Sequence, residues 1–156
     1  MKKIFLLFLF ICIVSFSEFE FVDLKWGSTK EETKDYLVKT FGINRDSMQE
    51  HNNNQLRIWR EPVTFADINL KEVVFEYNSD GELKKWTGET GGEYEEYSYI
   101  RNYLKKKYAL DEKKVDGTDT LTKHIKDYGS MLVFFENKKI VFINKNNYYY
   151  LKNYKK

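Results

Sequence analysis

The sequence predicts an α+β domain in which two helices pack on one face of an antiparallel meander sheet. Two segments, 29–40 and 93–108, have the apolar spacing of amphipathic helices. The other segments alternate apolar and polar residues and are separated by turn-forming residues, which is typical of half-buried strands. Runs of strands interleaved with only two helices favour α+β over a parallel α/β architecture.

Residues 1–17 predict an export signal. Two lysines precede an unbroken apolar run at 4–14, and small residues at a cleavage position precede Glu18. The run is too short to cross a membrane as a helix, which needs about 20 residues. We therefore expect an exported chain, periplasmic or secreted, without stable membrane insertion after cleavage. The alternative is cleavage before Cys12 with lipidation of that cysteine.

The length and charge of the mature chain limit its class. Removing residues 1–17 from the 156 leaves 139, which suits one domain at 18–156. Without the two lysines of the signal, 24 basic residues face 24 acidic ones. A chain without net charge does not gather polyanions, so we expect no nucleic-acid partner. Cleavage near Ser17 would also remove Cys12, the single cysteine, and with it any disulfide.

The first helix is predicted from about Thr29 to Thr40. Ser28 and Glu31 have the spacing of a capping box, in which each side chain satisfies a free backbone amide at the helix start. Gly42 stands where a left-handed stop is needed. The predicted buried stripe comprises Thr33, Leu37 and either Phe41 or Tyr36.

A polar loop at 51–54 leads into the first meander. In its first strand Leu56 and Ile58 share one face, while Arg57 and Trp59 share the other. The remaining predicted elements of this half are a strand alternating over 73–77, a turn at 78–81, a returning strand at 82–87 and a flexible connection at 88–92.

The second helix is predicted from Glu93 to Tyr108. Acidic residues at its start and lysines at its end match the helix dipole. Its predicted buried face comprises Tyr97, Ile100, Leu104 and Tyr108. The strands predicted after it cover 120–126, 130–136, 139–144 and, as an edge strand, 148–151.

The two halves of the chain resemble each other. Residues 35–43 align without gaps with 102–110, and Val74-Phe75 matches Val133-Phe134. Two tandem α-β-β(-β) repeats, at 21–90 and 91–156, account for this match. So does the general likeness of any two amphipathic helices, and both explanations stay open at this point.

The mature sequence offers few groups for catalysis or metal binding. It has no cysteine, its only imidazoles are those of His51 and His124, and no serine lies in a Gly-x-Ser-x-Gly turn. No spacing typical of a zinc site is present. We therefore expect no catalytic residues, no metal and no cofactor. Paired carboxylates for glycoside cleavage remain open, because 24 acids give many combinations.

Trp59 and Trp86 are the predicted binding residues, together with Arg57 and Lys84. By strict alternation, Trp59 shares its face with Arg57, and Trp86 shares its face with Lys84. If the helices cover the opposite, aliphatic face, both indoles project from an open sheet face. An exposed tryptophan flanked by cations is typical of a contact surface for protein or glycan. Two alternatives stay open: a bulge that shifts the strand register would place an indole in the core, and an arm such as Phe19-Phe21 would cover the indoles.

Residues 21–32 read Phe-Val-Asp-Leu-Lys-Trp-Gly-Ser-Thr-Lys-Glu-Glu. This Trp-Gly step into a capped helix, followed by a meander and a second such unit, resembles the opening of small exported bacterial proteins. The layout is similar to the tandem α/β repeats of β-lactamase-inhibitor-like proteins. More distantly, it is similar to the small lipoproteins of the outer-membrane β-barrel assembly machine. The resemblance implies a non-catalytic protein that works by its sheet surface.

These observations predict a non-catalytic exported binding module that contacts another envelope or secreted protein through an aromatic sheet face. One alternative is a cell-wall or glycan-active enzyme that uses a pair of acids. Another is an envelope assembly factor anchored through a lipidated Cys12.

Overall fold

The computed structural model of the chain describes residues 24–115, 118–125, 129–136 and 138–144. Within these ranges it is an α+β fold, as predicted. The helices are α1 (Lys30–Phe41) and α2 (Tyr94–Tyr108), and the strands are β1 (Met48–His51), β2 (Gln55–Ile58), β3 (Val63–Phe65), β4 (Ile68–Leu70), β5 (Glu72–Tyr77), β6 (Leu83–Glu89), β7 (Asp111–Val115), β8 (Thr118–Ile125), β9 (Gly129–Glu136) and β10 (Lys139–Asn144). The predicted export signal, including Cys12, and the predicted edge strand at 148–151 lie outside the described residues.

Helix α1 begins one residue later than predicted. Its capping box joins Thr29 and Glu32, not Ser28 and Glu31. The reason lies in the preceding turn, where the Ser28 carbonyl accepts a hydrogen bond from the Leu83 amide of β6, 2.8 Å away. The predicted stop is confirmed, since Gly42 ends the helix in the left-handed region.

Helix α2 covers the predicted segment. It has no side-chain cap at its start, but glutamates occupy its first turn and lysines its last, which suits the helix dipole. Ile100 and Leu104 are buried. Tyr97 and Tyr108, also predicted for the buried face, are half-buried.

Eight strands form one antiparallel sheet in the order β1-β2-β5-β6-β10-β9-β8-β7. Each half of the chain therefore supplies a four-stranded meander after its helix, and the two meanders meet where β6 pairs with β10. Strands β3 and β4 form a separate hairpin on the helix-bearing side, where Phe65 makes an edge contact with Trp86. Among the described elements, β1, the β3–β4 hairpin and β7 were not predicted.

The aligned helix segments occupy the same structural positions. Tyr36 and Tyr103 are each half-buried, and each makes an edge contact with a ring at the end of its helix, Phe41 and Tyr108 respectively. The other matched pairs are Leu37 with Leu104, both fully buried, Gly42 with Ala109, both left-handed helix ends, and Ile43 with Leu110, both in the core.

A row of residues crosses all eight strands on the helix-bearing face. In spatial order this central row is Glu50, Leu56, Phe75, Trp86, Phe142, Val133, Leu121 and Glu112. It has an acid at each end, a leucine next to each acid, and large apolar residues at the middle. Its six inner side chains are at most 1% exposed and belong to the hydrophobic core that the helices cover.

No helix within the described parts of the chain combines the length and apolarity that a membrane crossing requires. Helices α1 and α2 are each shorter than the roughly 20 residues of a spanning helix.

Candidate functional site

The sheet face opposite the helices is the candidate site, and we call it the open face. Because side chains alternate along a strand, residues next to the central row point away from the core. They line a shallow depression of about 280 Å³. Its lining comprises Gln55, Arg57, Glu72, Val74, Glu76, Lys85, Thr87, Glu89, Lys139 and Val141.

The floor of the depression is apolar and lies at the middle of the sheet. Val74 pairs with Thr87, and Thr87 pairs with Val141, so the three stand side by side on β5, β6 and β10. Val141 is buried but does not belong to the core under the helices. An apolar floor within a charged surround can accept an apolar group from a partner.

Three ion pairs surround this floor. Arg57 lies 3.1 Å from Glu72, Lys85 lies 2.8 Å from Glu76, and Lys139 lies 4.0 Å from Glu89. Three cations therefore balance three carboxylates. A surface of this kind does not attract polyanions, but it fits a protein surface with charges of both signs.

Arg57 is placed on the open face, as its strand phasing predicted. One of its terminal nitrogens pairs with Glu72, while its Nε is buried without a hydrogen-bond partner. A buried donor without an acceptor costs free energy. Among the described residues that line the depression, Arg57 is the one with a buried donor that lacks a partner.

Trp59 lies at the edge of the open face, just beyond the end of β2. Its side chain is 48% exposed. Its Nε1 donates to Oε1 of Gln49, 3.1 Å away, and Gln49 is the residue opposite Arg57 on β1. The guanidinium of Arg60 stands 4.8 Å from the indole centroid. This places an exposed indole and a cation together at the rim of the face.

Trp86 is not on the open face, and the prediction that it projects there is wrong. It is 1% exposed and stacks on Phe142 in the core, with ring centroids 3.9 Å apart. The cause is a β-bulge, because Tyr77 pairs with Leu83 while Glu76 pairs with Lys85. Lys84 is the extra residue between these two pairs, and it reverses the alternation that the sequence suggested.

The prediction for Lys84, the other cation expected on the open face, is wrong because of the same bulge. It is not one of the residues that line the depression, whereas its neighbour Lys85 is. The charged lining residues that were not predicted include Lys85, Glu72, Glu76 and Glu89. The glutamates on β5 carried a usable signal, since Glu72 and Glu76 alternate with the apolar residues that the sequence assigns to the buried face.

The glycine-containing connection before α2 is a structural turn. The Gly92 amide donates to Glu96 Oε2 at 3.0 Å and to Thr90 Oγ1 at 3.1 Å. A side-chain carboxylate thus occupies the place where an anion would bind at this helix start. Among the described residues, no group of three or more His, Cys, Asp or Glu side chains could hold a metal ion. The side chain of His124 lies outside the described part of the chain.

No family model, curated protein or solved structure matches this chain. The functional assignment therefore depends on the geometry of the open face.

Proposed function

We propose that this chain is an exported, non-catalytic binding module that contacts another envelope or secreted protein through its open face. The observation that carries the proposal is the charge-balanced depression on the side of the sheet away from both helices. Its apolar floor, its three ion pairs and its rim indole are features of surfaces that bind proteins.

The size of the open face suits one protein partner. Eight strands at about 4.8 Å spacing span about 34 Å, and strands of six residues are about 20 Å long. This gives about 700 Å² for the face, against about 800 Å² per partner in a standard protein complex. The area of the face is therefore close to what one partner contributes to a specific interface.

Residue chemistry favours the end of the face that lies near β2. Tryptophan and arginine dominate the binding energy of most interfaces, and Trp59, Arg57 and Arg60 lie together there. The predicted export signal supports a partner in the envelope or outside the cell. The resemblance to β-lactamase-inhibitor-like proteins supports the same class of partner.

The test is affinity capture from an envelope extract of the source cell, with three single variants compared with the wild type. Val74→Lys places a charge on the apolar floor of the depression. Trp59→Ala removes the rim indole. Val38→Lys is the matched control, because Val38 is 40% exposed on α1, on the other side of the sheet.

We expect one dominant protein to be captured by the wild type and by Val38→Lys, and to be lost with Val74→Lys. Trp59→Ala should weaken binding about 30-fold, as for an interface residue worth about 2 kcal/mol. Equal capture by all four proteins would contradict the open face as the binding surface. Retention and turnover of a glycan would contradict the non-catalytic function and favour the acid-pair enzyme.

A further inference from the structure

Within the part of the chain that the structure describes, the eight-stranded sheet ends in two edge strands, β1 and β7. An edge strand presents unpaired backbone groups, on which a strand from another chain can pair. Proteins limit this association with short strands, bulges, or charged side chains that point toward the covered side of the sheet. Both edges of this sheet carry a residue of the last kind.

These residues are Glu50 on β1 and Glu112 on β7, and we call them the edge carboxylates. Glu50 is directly opposite the buried Leu56, and Glu112 is directly opposite the buried Leu121. Opposite residues of an antiparallel pair lie on the same face, so both carboxylates are on the helix-bearing side. They are the two ends of the central row, and each is 46% exposed.

Each edge carboxylate is bound by two cations of the nearer helix. Glu50 lies 2.8 Å from Lys30 and 2.6 Å from Lys34 of α1. Glu112 lies 3.0 Å from Arg101 and 3.1 Å from Lys105 of α2. Each edge thus ends in a carboxylate between two cations.

One cation at each edge has the same placement on its helix. Lys34 lies three residues before Leu37, and Arg101 lies three residues before Leu104, which are the matched fully buried leucines of the two helices. The second cation differs, since Lys30 lies four residues before Lys34 and Lys105 lies four residues after Arg101. A carboxylate held by two helix cations at both sheet edges favours a shared role over a chance contact at one edge.

We propose that the edge carboxylates block the addition of a strand from a second copy of this chain at β1 and β7. An added strand would place a side chain beside each carboxylate on the helix-bearing face and would bury that carboxylate, because it projects from the edge strand itself, whereas its two cations project from a helix. Burying charges that already have partners removes their water without new pairing, which is unfavourable. A strand at this position is therefore rejected although the backbone of the edge could pair.

The titration of these groups supports a permanent block. Hydrogen bonds from Lys30, which has the larger effect, and from Lys34 lower the pKa of Glu50 to about 2. Hydrogen bonds from Lys105, which has the larger effect, and from Arg101 lower the pKa of Glu112. Both carboxylates consequently stay ionised across the physiological pH range.

The competing explanation is that these ion pairs merely hold the helices on the sheet. Two multiple variants of the full chain separate the explanations. Glu50→Thr with Glu112→Thr removes both carboxylates and introduces a polar residue that favours strands. The matched control replaces all four cations, Lys30, Lys34, Arg101 and Lys105, with alanine. It removes the same ion pairs but keeps both carboxylates at the edges.

The measurement is mass by light scattering during size-exclusion chromatography, at a protein concentration on the order of 100 μM, with circular dichroism as the check of folding. We expect the double threonine variant to show at least twice the wild-type mass, and the four-alanine variant to keep the wild-type mass. If the threonine variant does not fold, Glu50→Gln with Glu112→Gln replaces it with the same expectation.

Two results would overturn the proposal. One is a wild-type mass for the folded double variant, which would show that the carboxylates do not prevent association. The other is association of the four-alanine variant to the same extent, which would show that assembly follows loss of the helix–sheet ion pairs. Neither result bears on partner binding at the open face.

Discussion

Replacing Trp86 with alanine tests the central packing of the molecule. The indole is 1% exposed, stacks on Phe142 at 3.9 Å, and meets the edge of Phe65 at 6.0 Å. A buried tryptophan removes about 200 Å² from water, which corresponds to about 5 kcal/mol at 25 cal/mol per Å². Tryptophan-to-alanine changes in cores cost about 3–5 kcal/mol. We expect Trp86→Ala to lower the free energy of unfolding by about that amount.

The assay is urea unfolding followed by far-ultraviolet circular dichroism, with Trp59→Ala as the matched control. Since Trp59 is half-exposed, its replacement should change the free energy of unfolding by less than about 1 kcal/mol. Trp86→Phe retains a ring against Phe142 and should cost about 1–2 kcal/mol. If Trp86→Ala lowered the free energy of unfolding by less than about 1 kcal/mol, the bulge would be contradicted and the indole would belong on the open face.

Three further predictions concern local features of the fold. Gly88→Ala should lower the thermal midpoint, at a cost of about 1–3 kcal/mol, because an added Cβ would lie 2.7 Å from Leu70 Cδ1. Thr29→Ala should cost about 1 kcal/mol in urea unfolding, and Ser28→Ala clearly less, since Thr29 caps α1; equal losses would contradict this cap. Hydrogen bonds from two lysines lower the pKa of Glu50 to about 2. The ionised Glu50 therefore stabilises the fold at pH values above its unfolded pKa of about 4.3. That stabilisation, about 1 kcal/mol after solvent screening, should be lost between about pH 4.5 and 2; over this range the free energy of unfolding should therefore fall by about 1 kcal/mol more in the wild type than in Glu50→Gln.

The helices were predictable because their signals are local. A cap, a periodic apolar stripe and a left-handed stop all lie within one short segment, and Gly42 marked the end of α1 correctly. The start was wrong by one residue because Ser28-Glu31 and Thr29-Glu32 have the same spacing. A hydrogen bond to the distant residue Leu83 decided between them.

The strands that were missed lack the apolar alternation on which prediction depends. Three of the four residues of β1 are exposed, so this edge strand has the composition of a loop. The β3–β4 hairpin turns at Ala66 and Asp67, both with positive φ, and neither is the glycine or asparagine that usually marks such a turn. Its position depends on Phe65, which packs in the core.

The candidate site was half predictable for a related reason. Alternation placed Arg57 correctly because β2 is regular from Gln55 to Ile58. Trp86 was misplaced because a bulge adds one residue to a strand without changing its composition. The ion pairs of the open face depend on which strands are neighbours, and β6 pairs with β10 across a gap of some 50 residues that no local pattern bridges.

The meeting of the two meanders at β6 and β10 makes the chain resemble a complex of two subunits. Each half has its own helix and its own strands, yet the stacked rings of Trp86 and Phe142 come from different halves. A chain cut near Gly91 would leave one ring of this stack exposed on each fragment. We expect two such fragments to fold when they associate with each other. In the intact chain, the covalent connection keeps the two halves at a high effective concentration.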